Sequence, residues 1–170
     1  MTDRAAVPAG AEVTAGAVVA ALRAAGLTVA TAESLTGGLL CATLVDVPGA
    51  STVVRGGVVA YATGLKASLL GVDPDRLAVT GPVDGLVAEQ MARGARERTG
   101  ADVAVATTGV AGPGPADGHP AGTVFLGLAA DALPGGARHR ALHLPGDRPQ
   151  VRRATVAAAL AELLAVVTAT

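Results

Sequence analysis

The chain has 170 residues, of which 51% are hydrophobic, only 1% are aromatic, and 13 basic side chains balance 14 acidic ones for a formal net charge of −1. That charge excludes the basic footprint of a nucleic-acid-binding protein. The length is that of one domain, with a core that has to be built from Ala, Val and Leu. The expected organisation is a flexible lead-in over 1–11, carrying Pro8 and Gly10, and one domain over 12–170.

In chain order, the apolar positions Val13, Ala17, Val18, Ala21 and Leu22 follow helical spacing from about Glu12 to Ala25, and Gly26 stops the helix. Residues 27–32 read as a short buried strand. Residues 36–47 resume as helix, broken by Pro48 and Gly49. Residues 53–61 read as a strand whose glycine pair marks a bulge. A helix is expected over 63–70. A longer one spans 84–98, with Asp84 as N-cap and Gly100 past its end. Residues 101–109 are almost continuously apolar, as suits a central strand. Residues 110–122 hold too much Gly and Pro for regular structure. Strands follow over 123–130 and, at a sheet edge, over 137–144. Asp147 then opens a closing helix over 147–167. This alternation predicts an α/β fold, a three-layer α/β/α sandwich with a mixed, mostly parallel sheet of about five strands.

The lone cysteine, Cys41, has no internal disulfide partner and lies in an apolar helical stretch, so it reads as a buried small hydrophobe in a reduced, cytoplasmic setting. No uncharged run reaches the ~18 residues of a membrane span. The first residues lack the basic start and compact apolar centre of a secretion signal. The arginines are scattered except Arg93, Arg96 and Arg98, which read as a solvated helix face.

In open α/β sheets ligands collect where strands end and loops turn into helices. Three such junctions are polar or rich in glycine. At the first, Glu33 and Ser34 precede Thr36, Gly37 and Gly38. Free N–H groups at a helix start favour an anion, and a serine just before them can use them as an oxyanion hole. An ordinary helix cap reads equally well there. The second is "YATGLK", residues 61–66, which holds the only tyrosine and the only lysine of the chain. A lysine whose pKa is depressed can exchange a proton, whereas arginine cannot be deprotonated. Lys66 therefore reads as a base, or else as a structural ammonium that holds carbonyls or a phosphate. Tyr61 relays a proton, positions Lys66 or stacks on a ring. The third is "TTGVAGPGP", residues 107–115, whose glycines free amides for a phosphate or carboxylate but which matches no phosphate-loop pattern.

His119, His139 and His143 lack metal-ligand spacing, so no metal is expected. There is no G-x-S-x-G elbow. Ser34 and Lys66, without a well-placed histidine, make a Ser–Lys nucleophile the economical choice.

Taken in order, "TAESLTGGLL" (31–40), "DVPGAS" (46–51), "VAYATGLKASLLGV" (59–72), "ADVAVATTGVAGPG" (101–114), "GTVFLGLA" (122–129) and "GDR" (146–148) resemble the C-terminal domain of the competence-damage-inducible CinA proteins. That family includes stand-alone nicotinamide-nucleotide amidohydrolases of the PncC type. The resemblance runs from about residue 12 to the end. It implies the α/β/α fold and deamidation of nicotinamide mononucleotide (NMN) to nicotinic acid mononucleotide and ammonia. By motif, Ser34 matches the presumed nucleophile, Tyr61 and Lys66 match the family's tyrosine and lysine, and Thr108 and Gly109 match its T-G. The resemblance also implies a homodimer or larger homo-oligomer. The chain departs from the pattern at Ala62-Thr63, often Ser-Asn in the family, and at Pro82-Val83-Asp84-Gly85, often A-V-S-E. The loop after Gly114 is shorter, with His119 near where relatives often carry a lysine. These departures bear on substrate grip more than on chemistry.

The expected chemistry is amide hydrolysis with no metal and no cofactor. Ser34 attacks the carboxamide, Lys66 takes and returns the proton, and Tyr61 positions or relays. Backbone amides around Thr36, Gly37 and Gly38 stabilise the oxyanion, Glu33 is counted with the substrate-binding residues, and the loop with Thr108, Gly109, Gly112 and Gly114 holds the ribose phosphate. The only partner expected is this small nucleotide; nucleic acid and membrane are not. The same loops also suit a non-catalytic nucleotide-binding or regulatory module, and Lys66 a Schiff-base role.

Overall fold

The computed structural model describes residues 13–169. The expected lead-in over 1–11 lies outside them. The elements are α1 (Ala15–Ala25), β1 (Val29–Glu33), α2 (Leu39–Val45), β2 (Val54–Val59), α3 (Thr63–Leu70), α4 (Pro74–Thr80), α5 (Gly85–Thr99), β3 (Val103–Gly109), β4 (Thr123–Ala130), β5 (Ala137–His143) and α6 (Arg148–Thr168).

The sheet order is β2-β1-β3-β4-β5. β1 pairs in parallel with both β2 and β3, and β4 runs antiparallel to both β3 and β5. The sheet is therefore mixed, with β4 alone reversed. The β1–β2 register slips between Val29 and Ala30, so that Val29 faces Val54 while Ala30 faces Gly56 and Arg55 is the extra residue. This is the bulge the glycine pair foreshadows.

Helices cover both faces. Val29, Val103, Val105, Val124, Leu126 and Leu128 turn toward α1, α2 and α6 and bury Val18, Leu22, Leu40, Leu44 and Leu163. The alternate residues, Ala30, Ala32, Ala104, Ala106 and Ala129, turn toward α5 and meet Val87, Met91, Ala92 and Ala95. The second face is made of small residues because α5 lies almost on the sheet: a methyl group at Gly127 would overlap the carbonyl of Ala88. Gly94 on the same helix allows the chain at Leu70 equally close. With almost no aromatic residues, the core gains its density from close backbone approach.

The caps follow the sequence. Thr14, Asp73, Asp84 and Asp147 each accept a backbone N–H at a helix start, and Gly26, Gly71 and Gly100 end helices in the left-handed conformation. Two elements differ from expectation. α4 was not anticipated, although Asp73 followed by Pro74 is a cap with proline in the first turn. α2 begins at Leu39, not at Thr36, because Gly37 and Gly38 both have positive φ and form a turn ahead of it. Cys41 is half-buried, not fully enclosed.

Candidate active site

Three chain segments meet at the carboxyl end of the parallel strands. Ser34 leaves the end of β1, and its N–H donates to Thr107 O at 2.9 Å, which stitches it to the neighbouring central strand. α3 begins just after β2 and carries Lys66 back over β1. There Lys66 Nζ lies 2.9 Å from Ser34 Oγ and 2.8 Å from Ala60 O. The loop after β3 closes the third side.

The amine is almost entirely enclosed, with 1% of its side chain's residue surface exposed, and Ser34 is 8% exposed. Burial pushes the Lys66 pKa from 10.5 down to about 8, against a smaller pull upward from the Asp117 carboxylate. As an ammonium, Lys66 donates to both oxygens. Once neutral it keeps one N–H for Ala60 O and presents its lone pair to the serine hydroxyl, which then donates. This is the arrangement a general base needs.

Both groups open on a cavity of about 410 Å³. Tyr61, Thr63, Pro82 and Val83 line it together with the loop from Thr108 to Asp117. Arg148, the first residue of α6, lines it too. Its guanidinium donates to Tyr61 Oη at 2.8 Å and to Gly112 O at 3.0 Å, which ties the α6 start to two walls. The GDR run was legible in the sequence, but nothing local shows that Arg148 reaches the chain at Tyr61.

The expected site residues divide. Ser34, Lys66, Tyr61, Thr108, Gly109, Gly112 and Gly114 all line the cavity. The Thr108 hydroxyl donates to Pro82 O at 2.7 Å. Glu33, Thr36, Gly37 and Gly38 are not among the lining residues. Glu33 is fully buried, and its carboxylate accepts from Gly38 N, Leu40 N and Cys41 N at 3.0, 3.0 and 2.7 Å, and from the Thr31 hydroxyl at 3.1 Å. The amides assigned to an anion at the α2 start thus already hold one, the chain's own carboxylate. A buried charge requires such saturation. The Gly37 N–H donates to Ser34 O, and the Thr36 hydroxyl pairs with that of Thr107 at 2.7 Å. These four residues shape the turn that presents Ser34. Arg152 on α6 braces the same turn, donating to Leu35 O at 3.0 Å and Thr36 O at 2.7 Å.

The sequence profile of the CinA C-terminal domain matches residues 11–167. Among curated proteins, a CinA-like protein of Frankia casuarinae is 51% identical over 145 residues, covering 85% of this chain and 33% of its own length. A putative competence-damage inducible protein of Desulforamulus reducens is 47% identical over 136 residues, covering 80% of this chain and 32% of its own. The chain thus spans about a third of the length of these relatives. Among solved structures, a CinA superfamily protein of Klebsiella pneumoniae is 33% identical with a TM-score of 0.86, over 92% of this chain and 96% of that one. The competence/damage inducible protein CihA of Agrobacterium tumefaciens is 37% identical with a TM-score of 0.85, over 96% and 99%.

Proposed function

Because this chain belongs to the CinA C-terminal domain family, some of whose members are amidohydrolases, we propose that it hydrolyses the carboxamide of NMN to nicotinic acid mononucleotide and ammonia. The observation that carries the reading is the 2.9 Å contact between a buried amine of lowered pKa and a serine hydroxyl at the floor of a cavity. Neutral Lys66 takes the Ser34 proton as Oγ attacks the carboxamide carbon. The tetrahedral oxyanion forms beside the turn after Ser34, where the Leu35 N–H takes no acceptor among the described residues. Lys66 then gives its proton to the departing ammonia, which leaves an ester on Ser34. Water, deprotonated by the same amine, attacks the ester carbonyl and releases the carboxylate.

Tyr61 is fixed by Arg148 and stands at the rim, where it positions the ring or the lysine. The Thr108–Gly114 loop and the Arg148 guanidinium offer donors to the ribose phosphate. The reading places this chemistry in the cytoplasm, and the family points to a homo-oligomer. Among the described residues no helix is long and apolar enough to cross a membrane.

The test is ammonia release from NMN, measured beside nicotinamide and other nucleotide amides. Release from NMN that requires Ser34 upholds the reading. Tight NMN binding without turnover under any condition would instead make the chain a binding module.

A further inference from the structure

Among the described residues, three charged side chains line the cavity, Lys66, Arg148 and Asp117. Two of them are engaged: Lys66 with Ser34 and Ala60, and Arg148 with Tyr61 and Gly112. Lys66 and Arg148 are bonded only to neutral oxygens, whereas Asp117 forms no hydrogen bond or ion pair with another described residue and is the one carboxylate among the lining residues. That is unexpected for a site that takes a phosphate.

Asp117 is not on a loose loop. Ala116 and His119 exchange both backbone hydrogen bonds, at 3.0 and 2.9 Å, and Asp117 and Gly118 make the two-residue turn between them with φ of 51° and 77°. Positive φ at both centres is the tight hairpin turn that Asp-Gly favours. The turn thus fixes residue 117 at the cavity wall, and the field of its carboxylate reaches the Lys66 amine.

We infer that Asp117 selects for a positively charged ring: it faces the quaternary nitrogen of an N-substituted pyridinium carboxamide whose amide carbon lies at Ser34. In such a substrate the charged nitrogen is meta to the carbon that bears the amide. A ring reaching from Ser34 toward Asp117 brings that nitrogen to the carboxylate, and the ribose phosphate continues from the nitrogen toward the donors of Arg148 and the 108–114 loop. The inference deepens the hydrolase reading and rests on it for the orientation of the ring.

The experiment measures calorimetric binding of two ligands to the full chain carrying Ser34→Ala, which prevents turnover: NMN, with a cationic ring, and its 1,4-dihydro form, with a neutral ring and the same phosphate. The comparison is repeated with Asp117→Asn added. Asparagine accepts positive φ readily, so the turn survives. The expected result is that Asp117→Asn weakens NMN about tenfold, the size of one partly solvated charge contact, and leaves the dihydro form within about twofold. Equal weakening of both ligands, or of neither, overturns the inference. A change in loop shape would act on both ligands alike, and loss of the Asp117 field leaves Lys66 less often protonated, which would favour the cationic ring, so a cation-specific loss is the signature. Wild-type ammonia release is assayed in parallel. Release without charge-selective binding defeats the role of Asp117 alone, whereas charge-selective binding without release defeats the hydrolase reading alone.

Discussion

Lys66 Nζ lies 2.9 Å from Ser34 Oγ, across 32 positions of sequence and between two different elements. α3 packs against α5, β1 runs between β2 and β3, and the buried lysine ends at the serine that follows β1. Water has almost no access to the amine, and its ammonium form is correspondingly disfavoured.

The first prediction follows from that contact. Ser34→Ala removes the only hydroxyl among the described residues that Lys66 reaches. Ammonia release from NMN should fall by at least ~10³-fold in kcat, with binding largely kept, because the loss is confined to the reacting atoms. Single-turnover assays and calorimetry on the same preparation check it.

The second concerns protonation. In the proposed mechanism the competent lysine is neutral, so kcat/KM should rise with pH and level off above about 8, where burial has placed the Lys66 pKa. Below that point the rate should fall tenfold per pH unit. Lys66→Arg, which has no accessible neutral form, should be inactive at every pH. An active arginine variant removes lysine from the base role.

The third is the stability counterpart. The folded pKa is about 8 and the unfolded value 10.5, so between those limits the unfolded chain binds more protons. Stability should therefore increase as pH rises from about 8 to about 10.5, because deprotonation relieves the buried charge. Urea midpoints at pH 7.5 and 9.5 measure it. The increase should disappear in Lys66→Met.

The fourth separates Glu33 from the substrate. Its carboxylate is bonded to three amides at the start of α2. Glu33→Ala would orphan those buried donors at a loss of about 3 kcal/mol, or roughly 6–12 °C in Tm for a domain of this size. Differential scanning calorimetry reads it. An unchanged Tm would show that the cap is dispensable.

The fifth tests how close α5 lies. A methyl group at Gly94 would overlap the carbonyl and Cα of Leu70, both backbone atoms that cannot swing away. Gly94→Ala should destabilise by about 3 kcal/mol, although alanine is the better helix former and would stabilise an exposed position by up to ~1 kcal/mol. The sign of the shift in the urea midpoint decides it.

Much of the fold was legible because its signals are local. α3 and β4 match the expected spans 63–70 and 123–130, and the caps at Asp84, Gly100 and Asp147 stand where the residue types place them. α4 was passed over although Asp73-Pro74 announces it. At the site, the glycines after Ser34 signal free amides that suit a substrate anion. Only the folded turn shows that Glu33, five to eight positions upstream of those amides, doubles back to hold them.

By itself the sequence determined the order of the elements apart from α4, the helix ends at Gly26, Asp84, Gly100 and Asp147, and the chemical character of Ser34 and Lys66, because periodicity, backbone preference and functional-group chemistry act over a few residues. The tertiary structure decided which of those groups meet. It set Lys66 on Ser34, Arg148 on Tyr61 across 87 positions, and Asp117 at the wall of their cavity. These relations depend on strand order and on the depth to which each helix packs, and burial at that depth, which no stretch of sequence encodes alone, is what lowers the pKa of the amine.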